Sequence, residues 1–275
     1  SWPLPLSTSK RNIQMGALVV APGAPGAPGA PGAPGDWYSK IAFPVMRGLK
    51  GYYTFDTDAA RFGLNRAPDG LNATLTGLPL AFATHGRFNG RTNFLDTGIS
   101  ETASQTIIVI GKAAATVADG AATTAQPVYV SNNYGQAVNA PYTGITATGV
   151  SLYHPGAARL QIAGARDNGS GAGSSASVNL VATAANQWAV RVARINSTGF
   201  NESIDLTAGT RAIGTSSTAR ILNNKTFCIG GNVIGDSALV DISAVAIFAV
   251  ALTDSEINTV AAVMRKRMER LGIIV

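Results

Sequence analysis

The sequence is poor in charge, cysteine and histidine. Only 13% of its 275 residues are charged, about half the usual share of a globular protein. Cys228 is the single cysteine, which excludes an intrachain disulfide framework and any multi-thiolate metal site. His85 and His154 are far apart in the sequence, so we expect no histidine-rich metal centre.

Long apolar runs are missing as well. No stretch approaches 18 apolar residues, so we expect neither a transmembrane helix nor a membrane partner. The opening Ser-Trp-Pro-Leu-Pro-Leu lacks the basic and apolar regions of a classical signal peptide. We therefore expect a protein that is not exported by a classical signal peptide.

The sequence pI of about 9.7 does not indicate nucleic-acid binding once the charges are located. Residues 51–252 carry 12 basic and 11 acidic residues, so the excess lies towards the two ends of the chain. Phosphate binding needs basic side chains clustered on one surface. The large middle of the chain has no such cluster in its sequence, and we expect no nucleic-acid partner.

Residues 21–35 repeat Ala-Pro-Gly five times without error. A glycine at every third position is the rule of a collagen triple helix, because only a hydrogen atom fits at the axis shared by three chains. The alternative is a single-chain polyproline II spacer, which the same composition also forms. The strict period favours a homotrimeric stalk, whose axial residues are Gly23, Gly26, Gly29, Gly32 and Gly35.

The repeat divides the chain into three parts. Residues 1–20 are too few for a core and are predicted to be an anchoring peptide. The anchor candidates combine apolar and basic side chains: Trp2, Leu4, Leu6, Lys10 and Arg11. Residues 36–275 form the body.

The body has the pattern of an antiparallel β-sandwich. Short β-branched runs recur between Gly, Asn and Pro, without intervening helices. Predicted strands include 51–56, 73–75, 106–111, 127–130, 150–154, 159–163, 177–181, 187–195, 200–206, 226–229 and 239–248. Within 187–195, Trp188, Val190 and Val192 share one face with Arg194.

One helix is predicted over residues 254–271. Thr253-Asp254-Ser255-Glu256 is a capping box, apolar residues follow at helical spacing, and Gly272 occupies the position after the helix. We interpret the basic run 265–267 as the solvated last turn, with a partner-binding patch as the alternative.

Several segments resemble a laminin-G-like (concanavalin A-like) jelly roll over about residues 50–260. The opening is carried by Gly-Tyr-Tyr-Thr-Phe-Asp at 51–56, Asn-Ala-Thr-Leu-Thr-Gly at 72–77, Gly-Arg-Phe-Asn-Gly at 86–90 and Phe-Leu-Asp-Thr-Gly at 94–98. The close is carried by Phe-Cys-Ile-Gly-Gly at 227–231, the run 238–248, and Ala-Leu-Thr-Asp-Ser-Glu-Ile at 251–257.

The resemblance implies roles for a few residues. Asp241 would be structural, and Trp188 would be a core tryptophan of a strand. Some laminin-G-like relatives bind calcium at a rim, for which Asp56 and Asp58 are the candidates, although a turn at a strand end explains them equally well. With its stalk, the domain is similar to the distal knobs of tailed-bacteriophage fibres and other virion appendages. The resemblance implies a virion protein that is made in the host cytoplasm and contacts other virion proteins through residues 1–20.

The sequence offers no catalytic pair. Glucanases with a concanavalin A-like fold carry Glu-x-Asp-x-x-Glu, whereas the nearest run here is Glu202-Ser-Ile-Asp205. Its spacing places the two carboxylates on opposite faces of a strand, and we predict them to be surface charges. Neither histidine accompanies a Gly-x-Ser-x-Gly nucleophile motif. We expect no enzyme activity, no catalytic residue, no cofactor and no bound metal.

Glycan contact would rest on aromatic and amide side chains in loops. Tyrosine faces stack on sugar rings and amides bond to hydroxyls, although a hairpin turn has the same composition. The candidates are Asn132, Asn133, Tyr134, Tyr142, Asp167 and Asn168.

Three classes of function remain. The first is a non-enzymatic trimeric virion appendage, either a tail fibre or a capsid decoration, that presents its knob to a host-surface polysaccharide. The second is a bacterial surface lectin with a collagen-like stalk. The third is a polysaccharide hydrolase, which the missing carboxylate pair disfavours.

Overall fold

The computed structural model describes residues 43–197, 199–216, 218–231 and 238–275. The predicted anchor, the stalk and the first residues of the body lie outside the described residues. Within them the fold is mainly β, with antiparallel sheets and one C-terminal helix, as the sequence predicted. The part of the chain that the structure describes has no helix long and apolar enough to cross a bilayer.

Two large sheets form the sandwich. The first, sheet A, consists of β1 (Leu49–Thr54), β3 (Leu80–Ala81), β4 (Gly86–Asn89), β6 (Gln105–Ala113), β13 (Ala189–Ile195), β14 (Gly199–Asp205), β15 (Thr210–Ser216) and β17 (Leu239–Phe248). Its order is β15-β14-β13-β6-β17-β4-β3, with β1 also paired to β17. The central strands β6 and β17 are almost entirely buried because both of their faces are covered.

The second sheet, sheet B, has seven strands: β2 (Thr74–Thr76), β5 (Phe94–Ser100), β7 (Val128–Ser131), β10 (Val150–Gly156), β11 (Arg159–Asp167), β12 (Gly173–Val181) and β16 (Thr226–Ile229). Their order is β12-β11-β10-β7-β16-β5-β2. A small hairpin of β8 (Gly135–Gln136) and β9 (Thr146–Ala147) lies in the long connection between β7 and β10. Short 3₁₀ turns occupy Ala59–Arg61 and Thr123–Ala125.

The main core lies between the two sheets. Its side chains alternate along the strands, as in Leu152 of β10 and Ile162 of β11, and it includes the edge-to-face ring pair of Phe55 and Phe62. Since successive residues of a strand point to opposite faces, the residues between these core positions face away from the sandwich.

Helix α1 (Asp254–Arg270) covers part of the outer face of sheet A. The predicted capping box is present: Thr253 Oγ1 accepts from the Glu256 amide, and the Glu256 carboxylate accepts from the Thr253 amide. The helix ends one residue before the predicted end, and Gly272 has a left-handed φ of 77°. Apolar side chains of the helix, such as Met264, belong to one buried cluster with Val190 and Val192 of β13.

Two predictions about residues on this face need correction. The basic run 265–267 is not simply solvated, because Arg265 donates to the Leu206 carbonyl and Arg267 pairs with Asp56. Trp188 is half-buried and precedes β13 instead of lying within it, although it packs on the helix side with Val190 as the alternation predicted.

Candidate functional site

A line of small side chains crosses the outer face of sheet B. Ser151 of β10 lies opposite Ser131 of β7 and Ala163 of β11, which lies in turn opposite Ser177 of β12. The Ser131 and Ser151 hydroxyl oxygens are 2.7 Å apart and share a hydrogen bond. Small residues along this line leave room above the sheet for a ligand.

A groove of about 370 Å³ lies over this face. Two tyrosines, two amide side chains and several hydroxyl groups contribute to its wall. The lining residues, all of them uncharged, are Thr123, Gln126, Val128, Asn133, Tyr134, Thr148, Ser151, Tyr153, Ala163 and Ser175. We call this surface the sheet B groove.

The sheet B groove includes two of the residues proposed from sequence, Asn133 and Tyr134. The Asn133 amide donates to Ser131 Oγ at 2.9 Å, and its Oδ1 accepts from the Tyr134 amide at 3.0 Å. Tyr134 has φ 54°, the only positive φ of a non-glycine residue within the described ranges. A bulky residue in this region is uncommon and needs support from its surroundings. The turn thereby holds a tyrosine ring, 44% exposed, at the edge of the groove.

Asn132 supplies that support and is itself buried. Its Oδ1 accepts from the Val150 amide at 2.6 Å, and its Nδ2 donates to Asn223 Oδ1 at 3.2 Å and to the Lys225 carbonyl at 3.3 Å. Asn132 was proposed from sequence as a ligand contact. The structure places it below the groove, where it fixes the turn that carries Tyr134.

A buried ion pair between Glu101 and Arg220 is hydrogen-bonded to Asn223, the partner of Asn132. Glu101, just after β5, accepts from the Asn223 amide and from Arg220 Nη2, the latter at 2.9 Å. Burial raises the pKa of Glu101, and the charge of Arg220 opposes that rise. Arg220 also donates to the Ala165 carbonyl at 2.9 Å. Sequence reasoning missed Glu101 and Arg220 because they are 119 positions apart and neither belongs to a motif.

The other proposed ligand contacts lie together but not in the groove. Tyr142 is buried, and its hydroxyl donates to Asp167 Oδ2 at 2.8 Å. That bond is the main cause of the lowered pKa of Asp167. Asp167 and Asn168 accept from backbone amides of residues 169–172, which closes a tight loop between β11 and β12. Tyr142, Asp167 and Asn168 are therefore all hydrogen-bonded within the protein and do not line the sheet B groove.

The run around Glu202 corrects the prediction of surface charges. Glu202 and Asp205 are fully buried in β14. Glu202 pairs with Arg194 at 2.5 Å and with Arg211 at 3.3 Å, whereas Asp205 accepts from the amides of Thr183 and Thr207. Their opposite orientation agrees with the predicted alternation. The prediction failed on burial because the arginine partners of Glu202 come from the neighbouring strands β13 and β15, which the local sequence around Glu202 does not reveal.

His154 is also buried, below the outer face of sheet B. Its Nε2 accepts from Arg191 Nε at 2.9 Å. Burial and the neighbouring Arg191 charge lower the pKa of His154 to about 2, so it is neutral at ordinary pH. Arg191 binds the Gly111 carbonyl and lies over the Tyr129 ring, with 5.1 Å from Cζ to the ring centroid.

The residues proposed for calcium do not form a cluster of ligands. Asp56 pairs with Arg267 and is thereby committed to holding helix α1. Across the described ranges, no three His, Cys, Asp or Glu side chains come together as they would around a metal ion.

Comparison with solved structures shows that the chain shares a β-sandwich fold with known proteins. A mutant of Trypanosoma rangeli sialidase displaying trans-sialidase activity matches with a TM-score of 0.50 and 14% identity, over 82% of this chain and 34% of that one. The binding domain of botulinum neurotoxin DC, in complex with SialylT, matches with a TM-score of 0.52 and 13% identity. That match covers 80% of this chain and 52% of the other.

These similarities establish the fold alone. The chain spans about half or less of the length of the structures it matches. No protein-family model matches the sequence, and the search of curated proteins found no match. The function must therefore be argued from the residues of this chain.

Proposed function

We propose that the body is a glycan-binding knob and that the sheet B groove is its binding site. The observation that carries the proposal is the uncharged lining of this groove, with Tyr134 held at its edge. The sandwich is similar to that of the neurotoxin binding domain solved with SialylT, which supports a ligand-binding role for the fold.

The lining favours a neutral sugar. Tyr134 and Tyr153 offer ring faces and hydroxyls, and the amides of Gln126 and Asn133 can both donate and accept. Sugar hydroxyls likewise donate and accept. A site without charge imposes no large desolvation penalty on a neutral ligand, whereas an anionic group would lose its hydration without gaining a cation.

The proposed knob binds its ligand without turning it over. Glycoside hydrolysis needs two carboxyl groups on either side of the scissile bond. Glu202 and Asp205 are committed to buried bonds in sheet A, and Asp167 is committed to Tyr142 and its own loop. These carboxylates therefore have structural partners, which supports a binding role over a hydrolytic one.

The proposed assembly is a homotrimeric virion appendage anchored through residues 1–20. Support comes from the sequence: the five Gly-Ala-Pro triplets and the short peptide that precedes them. Three knobs on one stalk would compensate for weak single sites, since linkage raises avidity by about 10² or more. A collagen-stalked surface lectin is the alternative setting for the same groove.

Binding and turnover are measured together. Full-length protein is mixed with susceptible cells and with their extracted surface polysaccharide, and bound protein and new reducing ends are both quantified. We expect binding without reducing ends. Release of reducing ends would overturn the binding-only proposal, and absence of binding with stabilisation of particles against heat would favour a decoration role instead.

The oligomeric state needs its own measurement. Light scattering at micromolar concentration should give about three times the monomer mass of 28.1 kDa. A monomer would contradict the trimeric stalk. In the full chain, Gly29→Ala should lower the melting temperature of the assembly, because a methyl group does not fit at the shared axis.

A further inference from the structure

A row of side chains crosses the outer face of sheet A and is not used by the groove. Leu80 lies opposite Arg87, Arg87 opposite Asp241, and Asp241 opposite Lys112. Trp188 comes next in the line, just before strand β13, because Ala189 at the start of β13 lies opposite Gly111. Side chains directly opposite one another share a face of the sheet, so these residues form one line that we call the sheet A row.

The sheet A row lies on the same side of the sheet as helix α1. Val240 and Ile242, on either side of Asp241, point into the core between the sheets. Asp241 therefore points outwards, to the side where Trp188 joins the cluster beneath the helix. Two apolar side chains remain accessible here: Leu80, at the end of the sheet A row, is 58% exposed, and Phe82, beside the row, is 39% exposed.

Charge along the row is unbalanced. Arg87 binds Asp241 through two hydrogen bonds of 2.7 and 3.0 Å, so each carboxylate oxygen has an arginine partner. The Lys112 ammonium is 3.7 Å from Asp241 Oδ2, beyond hydrogen-bond distance. Within the described chain that ammonium forms no hydrogen bond, although it has three protons to donate. Arg87 and Lys112 thus share the single carboxylate of Asp241, which leaves one positive charge in excess.

Aromatic rings hold these cations in place. The Lys112 ammonium is 5.6 Å from the centroid of the Trp188 ring, and the Arg87 guanidinium carbon is 5.0 Å from that of Phe82. His85 lies between the two rings, stacked on Phe82 at 4.5 Å and edge-on to Trp188 at 5.3 Å. Burial lowers the pKa of His85, against the pull of Asp241, so the imidazole adds no charge at neutral pH.

We propose that the sheet A row binds an acidic saccharide, with the sugar carboxylate on Lys112 and Arg87 and the sugar body against Phe82 and Trp188. A positioned ammonium forms a charge-assisted hydrogen bond with a carboxylate, and partly exposed aromatic rings provide apolar contact for a sugar. This site is separate from the sheet B groove, whose lining is uncharged. The knob would then contact neutral and acidic sugars on opposite faces.

The test uses two acidic sugars, each with a neutral counterpart. Trigalacturonate is compared with its methyl ester, and sialyllactose with lactose, by calorimetry on the full-length protein at low and at physiological salt. We expect at least one acidic member to bind about tenfold or more tighter than its counterpart, since a tenfold ratio needs only one good charge-assisted bond. Salt should weaken the preference because a half-exposed ion pair is screened. Equal binding within both pairs, or no binding of either acid, would overturn the proposal.

Variants assign the site. Lys112→Met removes the charge but keeps the chain length, and it should abolish the preference for the acidic member. Lys266→Met, at an exposed position of helix α1, removes the same charge and should leave the preference intact. Tyr134→Ala should also leave it intact, so failure of the sheet B groove and failure of the sheet A row give different results. Unfolding curves of each variant exclude loss of structure as the cause.

Ligand-induced fluorescence provides a second readout. Trp188 lies in the row, whereas the other tryptophans, Trp2 and Trp37, lie outside the described residues. The acidic sugar should change the emission of the wild type, and Trp188→Phe should remove that change. An undiminished change in Trp188→Phe would place the ligand elsewhere and contradict the proposal.

Discussion

Asn132 and Asn223 form a reciprocal pair of hydrogen bonds beneath the sheet B groove. Asn132 Nδ2 donates to Asn223 Oδ1 at 3.2 Å, and Asn223 Nδ2 donates to the Asn132 carbonyl at 2.9 Å. Through this pair, the turn that presents Tyr134 is joined to residues 223–225 and, by way of Asn223, to Glu101. The position of the exposed tyrosine thus depends on a buried polar network.

The first prediction concerns this pair. Asn132→Ala leaves the buried Val150 amide without its acceptor, so the free energy of unfolding should fall by about 1–3 kcal/mol. Glycan binding should weaken as well, because the Tyr134 turn loses its anchor. Denaturant unfolding and a binding titration measure the two effects. Asn179→Ala, at an exposed position on β12, is the control and should change stability by no more than about 0.5 kcal/mol.

Acid sensitivity should depend on His154. Its folded pKa of about 2 lies below the ordinary value of 6.5, so folding favours the neutral imidazole. The resulting stability is present above pH 6.5 and is lost as the pH falls from 6.5 towards the folded pKa. One such group contributes a slope of at most about 1.4 kcal/mol per pH unit.

His154→Gln tests that slope. The glutamine side chain can still accept from Arg191, but it does not titrate. Denaturant unfolding at pH values from 7 to 4 should show a shallower loss of stability in the variant than in the wild type. Identical slopes would mean that another group dominates the acid response.

The cap of helix α1 gives a third prediction. Thr253→Ala removes the oxygen that accepts from the Glu256 amide, and it should lower the free energy of unfolding by about 1 kcal/mol. Thr253→Ser keeps the oxygen and should restore most of the loss. If both variants unfold alike, the capping bond does not contribute.

Arg47 also acts on this cap. Its bonds to Glu256, at 2.9 and 2.6 Å, lower the pKa of that carboxylate to about 2. The corresponding stability is present above the ordinary pKa of 4.5 and disappears as the pH falls towards 2. Arg47→Met should therefore reduce stability at pH 7 but have little effect near pH 2, as measured by thermal unfolding.

Much of the sandwich could be predicted because its strands carry local signals. The predicted strands 226–229 and 239–248 coincide with β16 and β17, which are buried runs of apolar residues. The capping box located α1 because it is a pattern of four adjacent residues. β15 was missed because it is an edge strand whose pattern, Thr-Arg-Ala-Ile-Gly-Thr-Ser, has no apolar alternation.

The candidate site was less predictable because its determinants are far apart in the sequence. The aromatic and amide composition of this loop identified Asn133 and Tyr134 as candidate ligand contacts. It could not distinguish them from Asn132, whose side chain is buried below the groove and accepts from the Val150 amide. The sequence around Ser151 and Tyr153 does not indicate that both side chains face the groove. Their position follows from the register of β10 against β7 and β11, which only the structure shows. Burial of Glu202 likewise depends on Arg194, which lies on the neighbouring strand.

The most direct test of the central claim compares two tyrosines. Tyr134 lies at the edge of the sheet B groove, whereas the Tyr142 hydroxyl is bonded to Asp167 outside it. Full-length wild type, Tyr134→Ala and Tyr142→Phe are titrated with neutral oligosaccharide released from the host surface. If the groove is the binding site, Tyr134→Ala should weaken binding about tenfold, because a stacking ring contributes about 1–1.5 kcal/mol. Its unfolding curve should be unchanged. Tyr142→Phe should bind like the wild type. Equal affinity of Tyr134→Ala and wild type would contradict the groove as the binding site.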